Sequence, residues 1–67
     1  MDICATVGKN IRKLRLAKGW SQNELAERAH TERSYLSLIE TGQKNITLLM
    51  LQEIASALGV KPGELLK

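Results

Sequence analysis

The sequence predicts an all-α fold, a compact bundle of five short helices forming one domain over residues 1–67. Three observations point there. Gly19, Gly42 and Gly59 each follow apolar residues at helical spacing, and a Ser, Thr or Pro opens the next stretch, which is the punctuation of helix stops and starts. No run alternates apolar and polar residues between turn dipeptides, as a half-buried strand would. The connections are a few residues long, too short for a linker between separate units.

The first segment runs from about Ile3 to Lys18. Ile3, Val7, Ile11 and Leu14 form one apolar stripe with Cys4 at its edge, and Lys9, Arg12 and Lys13 lie opposite. Cys4 reads as a small buried hydrophobe, because no second cysteine or nearby histidine suggests chemistry for it. Arg15 borders the stripe, so its stem packs inward and its guanidinium needs a partner. The second segment opens with Ser21-Gln22-Asn23-Glu24, a capping-box pattern, and carries Leu25, Ala26 and Ala29 on its inner side. Thr31 is the expected N-cap of the third segment, which ends near Thr41. Two or three residues around His30 join these helices, and so tight a turn makes them cross steeply, as a helix-turn-helix over about 21–41.

The fourth segment starts at Thr47 and puts Leu48, Leu51, Ile54, Ala55 and Leu58 on one face. Pro62 opens a last segment of one or two turns. Ile46, Leu49, Met50, Leu65 and Leu66 are surplus to one core, and mark an exposed apolar surface over about 46–66 that suits a second copy of the chain.

Composition removes whole classes of function. A chain of 67 residues buries only ~60% of its unfolded surface, so it must be stapled, bind a metal, associate or be built economically. One cysteine and one histidine exclude an internal disulfide and the common zinc sites, so no metal or cofactor is expected. No nucleophile with a base, acid pair or phosphate-cradling glycine loop is present, and the chain is not expected to be an enzyme. No apolar run approaches the ~20 residues of a membrane span and no signal-peptide pattern opens the chain, which is expected in the cytoplasm. The net charge of +3 is uneven: residues 1–18 hold five bases against one acid, and residues 19–67 five against six.

The third segment carries the most information. Leu36 and Ile39 face inward with Tyr35 on the shoulder, leaving Arg33, Ser34 and Ser37 outward. Such short side chains let a helix sink into the DNA major groove, where arginine can fork onto guanine and a serine hydroxyl can meet a base edge or a phosphate.

The stretches Ser21-Gln22-x-Glu24-Leu25-Ala26, Tyr35-Leu36-Ser37-x-Ile39-Glu40-x-Gly42 and Leu51-x-x-Ile54-Ala55-x-Ala57-Leu58-Gly59-Val60 together resemble the Cro and phage-repressor (XRE-like) helix-turn-helix domains. The resemblance covers about residues 7–66. Arg33 to Ser37, with Lys44-Asn45 beyond, look most like the controller proteins of restriction-modification operons. It implies a lambda-repressor-like fold and a transcription regulator that binds a double-stranded operator as a homodimer. Arg33, Ser34, Ser37 and Tyr35 would then read bases, and Gln22, Asn23, Thr41, Gln43, Lys44 and Asn45 would follow the DNA backbone. Arg15 and Glu40 would form an internal ion pair. No small-molecule ligand is implied. An antitoxin-like or other protein-interaction module on the same fold is the alternative. Two residues depart from the family pattern. His30 stands where glycine is common, in a turn that requires positive φ, and Leu38 faces outward where a polar residue is usual.

Overall fold

The computed structural model describes residues 2–67, and among these none lies in a strand. Four α-helices are followed by one short 3-10 helix: α1 (Ile3–Ala17), α2 (Gln22–Arg28), α3 (Arg33–Glu40), α4 (Leu48–Leu58) and the 3-10 helix Pro62–Leu66. The fifth expected helix is thus the tighter kind, as suits a five-residue segment.

Local chemistry sets the starts. Ser21 Oγ accepts from the Glu24 N–H at 3.1 Å, and Thr47 Oγ1 from the Met50 N–H at 3.0 Å. Asp2 caps α1 in the same way, accepting from the N–H of Cys4 at 3.0 Å. The capping box of α2 is half made. Glu24 pairs with Arg28 one turn on, at 2.6 Å, and Arg28 also lies over the Trp20 ring, 4.3 Å from its centroid. Thr31 is not the cap of α3. That position falls to Glu32, whose side chain makes no capping bond, while the Thr31 N–H donates back to the Ala26 carbonyl at 2.8 Å.

All four α-helices stop by one device. A residue at positive φ turns the chain, and the next residue's N–H reaches back to a carbonyl in the helix's last turn: Trp20 to Arg15, Thr31 to Ala26, Gln43 to Leu38 and Val60 to Ala55. Three of the turning residues are glycine, and the fourth is His30 at φ 60°. Its ring is exposed and meets Glu53 only at 3.4 Å, a contact of little consequence in solvent. Replacing it relieves left-handed strain against some added freedom of the unfolded chain, so His30→Gly is expected to raise stability by up to ~1 kcal/mol. A denaturant midpoint equal to or below that of the parent would contradict this.

One core collects Val7, Ile11, Leu25, Ala26, Ala29, Leu36, Ile39, Leu51, Ile54, Ala55, Leu58 and Leu65. α1 packs on α3 and on the 3-10 helix, and α2 on α3 and α4. Asn10 Nδ2 ties the C-terminal segment to α1 by donating to the carbonyls of Leu65, at 2.9 Å, and Lys67, at 3.0 Å. The packing corrects four expectations. Leu65 is fully buried and cannot line a surface. Leu48 points outward, 85% exposed, because it sits in the first turn of α4 beyond the end of the core. Ile3 is exposed for the same reason at the start of α1. Cys4 is half-buried and its thiol donates to Asn45 Oδ1 at 2.9 Å, so it is not simply a buried hydrophobe.

Candidate nucleic-acid interface

The outward face of α3 is built by what its inward face must do. Leu36, Ile39 and Glu40 are buried, which leaves Arg33, Ser34 and Leu38 exposed and Tyr35 and Ser37 half-buried. Arg33 and Ser37 are one turn apart, as are Ser34 and Leu38, so these four form one continuous patch.

An ion-pair network fixes that patch relative to the rest of the molecule. Arg15 Nε donates to Glu40 Oε2 at 2.7 Å and Nη2 to Oε1 at 3.1 Å, a two-pronged pair whose side chains are 8% and 1% exposed. Arg15 Nη1 also donates to the Trp20 carbonyl at 2.7 Å, and Gln22 Nε2 to Glu40 Oε1 at 3.1 Å. The network thereby joins α1, the turn after it, the start of α2 and the end of α3. Among the described residues, no buried side-chain nitrogen or oxygen lacks a partner.

The residues expected along the DNA backbone divide into groups. Asn23, Gln43 and Lys44 are exposed, and Lys44 Nζ lies 5.6 Å from the centroid of the Tyr35 ring, which draws the loop toward the α3 patch. Gln22 is half-buried with one amide hydrogen on Glu40, which leaves its second amide hydrogen to donate. Asn45 accepts from Cys4, and its amide nitrogen keeps both hydrogens. Thr41 is the exception. Its hydroxyl donates back to the carbonyls of Ser37 and Leu38, both at 3.1 Å, and its N–H to Ser37 at 3.2 Å, so in the free chain it closes α3 and could reach a phosphate only by turning away from those carbonyls.

A second, apolar surface includes part of the α3–α4 loop itself. Leu48, Leu49 at 68% exposure, Ile3 and Leu66 are exposed, and Ile46 and Met50 are half-buried. Between α1, the loop and the C-terminal segment runs an apolar groove of about 300 Å³, lined in part by Ile3, Cys4, Ile46, Leu48 and Leu66.

The sequence alone did not single out Gly8. It is buried where α1 crosses α3, and a methyl group there would fall 2.8 Å from the Glu40 carbonyl oxygen and closer still to that of Ile39. A signal was available: Gly8, Ile11 and Arg15 share one helical face, and glycine inside a helix is unfavourable without a packing reason.

Comparison with known proteins places this architecture. The pattern of the helix-turn-helix family HTH_3 matches residues 11–65. A hypothetical transcription factor of Neisseria meningitidis is 42% identical over 65 residues, and the chain covers 61% of its length. The control protein C.BamHI of Bacillus amyloliquefaciens is 42% identical over 60 residues, which span 88% of this chain and 74% of that one. The crystal structure of the restriction-modification controller C.AhdI from Aeromonas hydrophila superposes with a TM-score of 0.90 at 40% identity, covering 92% of this chain and 94% of that one. The chain belongs to the HTH_3 (XRE-type) helix-turn-helix family, which includes restriction-modification controller proteins among its relatives.

Proposed function

We propose that this chain is a sequence-specific transcription regulator that binds a (pseudo)palindromic DNA operator as a homodimer. The observation that carries the reading is the α3 patch: one arginine among short side chains, held rigid by the buried Arg15–Glu40–Gln22 network. A groove-reading helix needs low relief and fixed position, and a merely solvated face needs neither. The regulators and controllers among its relatives support the same reading.

In this proposal Arg33, Ser34 and Ser37 read base edges, and Tyr35 touches a sugar, a phosphate or a thymine methyl. Gln22, Asn23, Gln43, Lys44 and Asn45 hold phosphates. Thr41 joins them by turning its hydroxyl from its own helix end, and Leu65, being buried, leaves the apolar interface. One copy reads few base pairs, so two copies have to span half-sites about one helical turn, ~34 Å, apart. The apolar surface of Ile46, Leu49, Met50 and Leu66, extended by Ile3 and Leu48, is the self-complementary interface. The chain acts as one domain, in the cytoplasm.

Selection from random duplex DNA tests the reading, followed by binding measurements on variants of the selected site. Arg33→Ala is expected to cost ~1–3 kcal/mol and to relax preference at one position per half-site, whereas Lys44→Ala weakens all sequences alike and lowers the salt slope by about one. Preference left intact by Arg33→Ala would remove it from the reading residues. A chain that selects no sequence and binds DNA weakly at low salt would favour the protein-interaction module.

A further inference from the structure

We propose that Leu38 is a specificity-determining residue that reads the C5-methyl group of a pyrimidine in the major groove, an inference that rests on the DNA-binding reading above. Leu38 is 40% exposed on α3 between neighbours that are buried or half-buried, one turn beyond Ser34 and beside Ser37. The other exposed large apolar residues lie outside α3: Ile3 and Leu16 on α1, Leu48 and Leu49 on α4, and Leu66 at the C-terminal end. Neither core packing nor the proposed dimer surface therefore accounts for Leu38.

Its placement is fixed. The Leu38 carbonyl accepts from the Gln43 N–H at 2.9 Å and from Thr41 Oγ1 at 3.1 Å, in the turn that Gly42 closes at φ 76°. The backbone that carries the side chain is thus immobilised before any contact, and a leucine has few rotamers to lose.

The chemistry then selects the partner. Base edges in the major groove offer hydrogen-bond donors, acceptors and one apolar group, the C5-methyl of thymine. Leu38 has no polar side-chain atom. Set against a guanine, adenine or cytosine edge it would strip water from polar groups and replace none of their hydrogen bonds. Against a methyl it excludes water from two apolar surfaces. The residue therefore both favours a methylated pyrimidine and disfavours the other edges, which gives discrimination in both directions. Thymine and 5-methylcytosine carry the same group, and the test separates them.

The experiment measures binding of the intact chain to its selected duplex with deoxyuridine replacing thymidine one position at a time, in both half-sites together. At one position the loss of the methyl is expected to weaken binding about 4-fold per half-site and about 15-fold for the symmetric site, from the area of one methyl group. Leu38→Ala should bind the thymidine and deoxyuridine duplexes equally, and Leu38→Met, which keeps the apolar volume, should retain the methyl dependence. Placing 5-methylcytosine at that position, with cytosine as its control, distinguishes the sources. Recovery assigns the methyl group whichever base bears it, and no recovery assigns thymine as the base read. Indifference to deoxyuridine at every position overturns the proposal, as does equal sensitivity in Leu38→Ala. Failure to select any preferred sequence would overturn the DNA-binding reading and this inference with it, whereas a preferred site without methyl dependence overturns the inference alone.

Discussion

Arg15→Ala is expected to destabilise the folded chain by roughly 3–5 kcal/mol, the cost of leaving one member of a buried pair without its partner. Glu40, with its side chain 1% exposed, would keep only the Gln22 amide, and the Trp20 carbonyl would lose its donor as well. A chain of this length is expected to have only about 3–10 kcal/mol of total stability, so the variant would lose about a third of it at the least and all of it at the most. The double variant Arg15→Met with Glu40→Leu separates pairing from packing. Removing both charges and keeping the volume should restore most of the lost stability, because the desolvation of both groups is avoided. Denaturant unfolding of the two singles and the double closes the cycle. A loss below about 1 kcal/mol for Arg15→Ala, the range of exposed pairs, would show that the pair is not the tie described here.

Gly8→Ala is the second large effect. Alanine is the better helix former by ~1 kcal/mol, and at an open position the substitution would stabilise α1. Here the added methyl meets the carbonyl oxygens of Ile39 and Glu40, which are backbone and cannot rotate away. α1 and α3 must separate, and overpacking of this kind costs about 1–3 kcal/mol or more, so the net change is expected to be a loss. The same separation stretches the Arg15–Glu40 bonds and tilts the α3 patch, so DNA affinity should fall along with stability. Gly63→Ala is the control, since a methyl there meets nothing within 4 Å, and its unfolding midpoint should stay near that of the parent. If Gly8→Ala unfolded at or above the parent's midpoint, α1 and α3 would not be in the close contact on which the reading patch depends.

Much of the fold was legible because its punctuation is local. Helix stops at residues 19, 42 and 59, the strained turn at His30, and the caps at Ser21 and Thr47 depend on a few neighbouring atoms, and residue type reports them directly. What helical spacing does not supply is where the core ends along each helix. Ile3 and Leu48 lie on plausible inner faces, yet each sits in a first turn that extends past the packed layer. Leu65 reads as surplus surface in the sequence, but the C-terminal segment returns over α1 and buries it, with the Asn10–Leu65 bond joining residues 55 apart in the chain. The candidate site shows the same division. Arg33, Ser34 and Ser37 followed from helical phase, while the commitment of Thr41 to its own helix end, the inward bond of Gln22 and the close approach at Gly8 emerge only when the helices are assembled.

The basic first helix also reads differently in three dimensions. Arg15, one of the five bases of residues 1–18, is buried against Glu40 and contributes nothing to an external field. Lys9, Arg12, Lys13 and Lys18 remain exposed. In the proposed function, charge on α1 assists approach to DNA without regard to sequence, and selectivity comes from the α3 patch.

A footprint on DNA carrying the selected site, with the protein titrated over a wide concentration range, tests the proposed paired binding most directly. Two protected half-sites centred about one helical turn, ~34 Å, apart are expected, filling together over a single concentration range. Protection of one isolated half-site, or none beyond that on unrelated DNA, would contradict it.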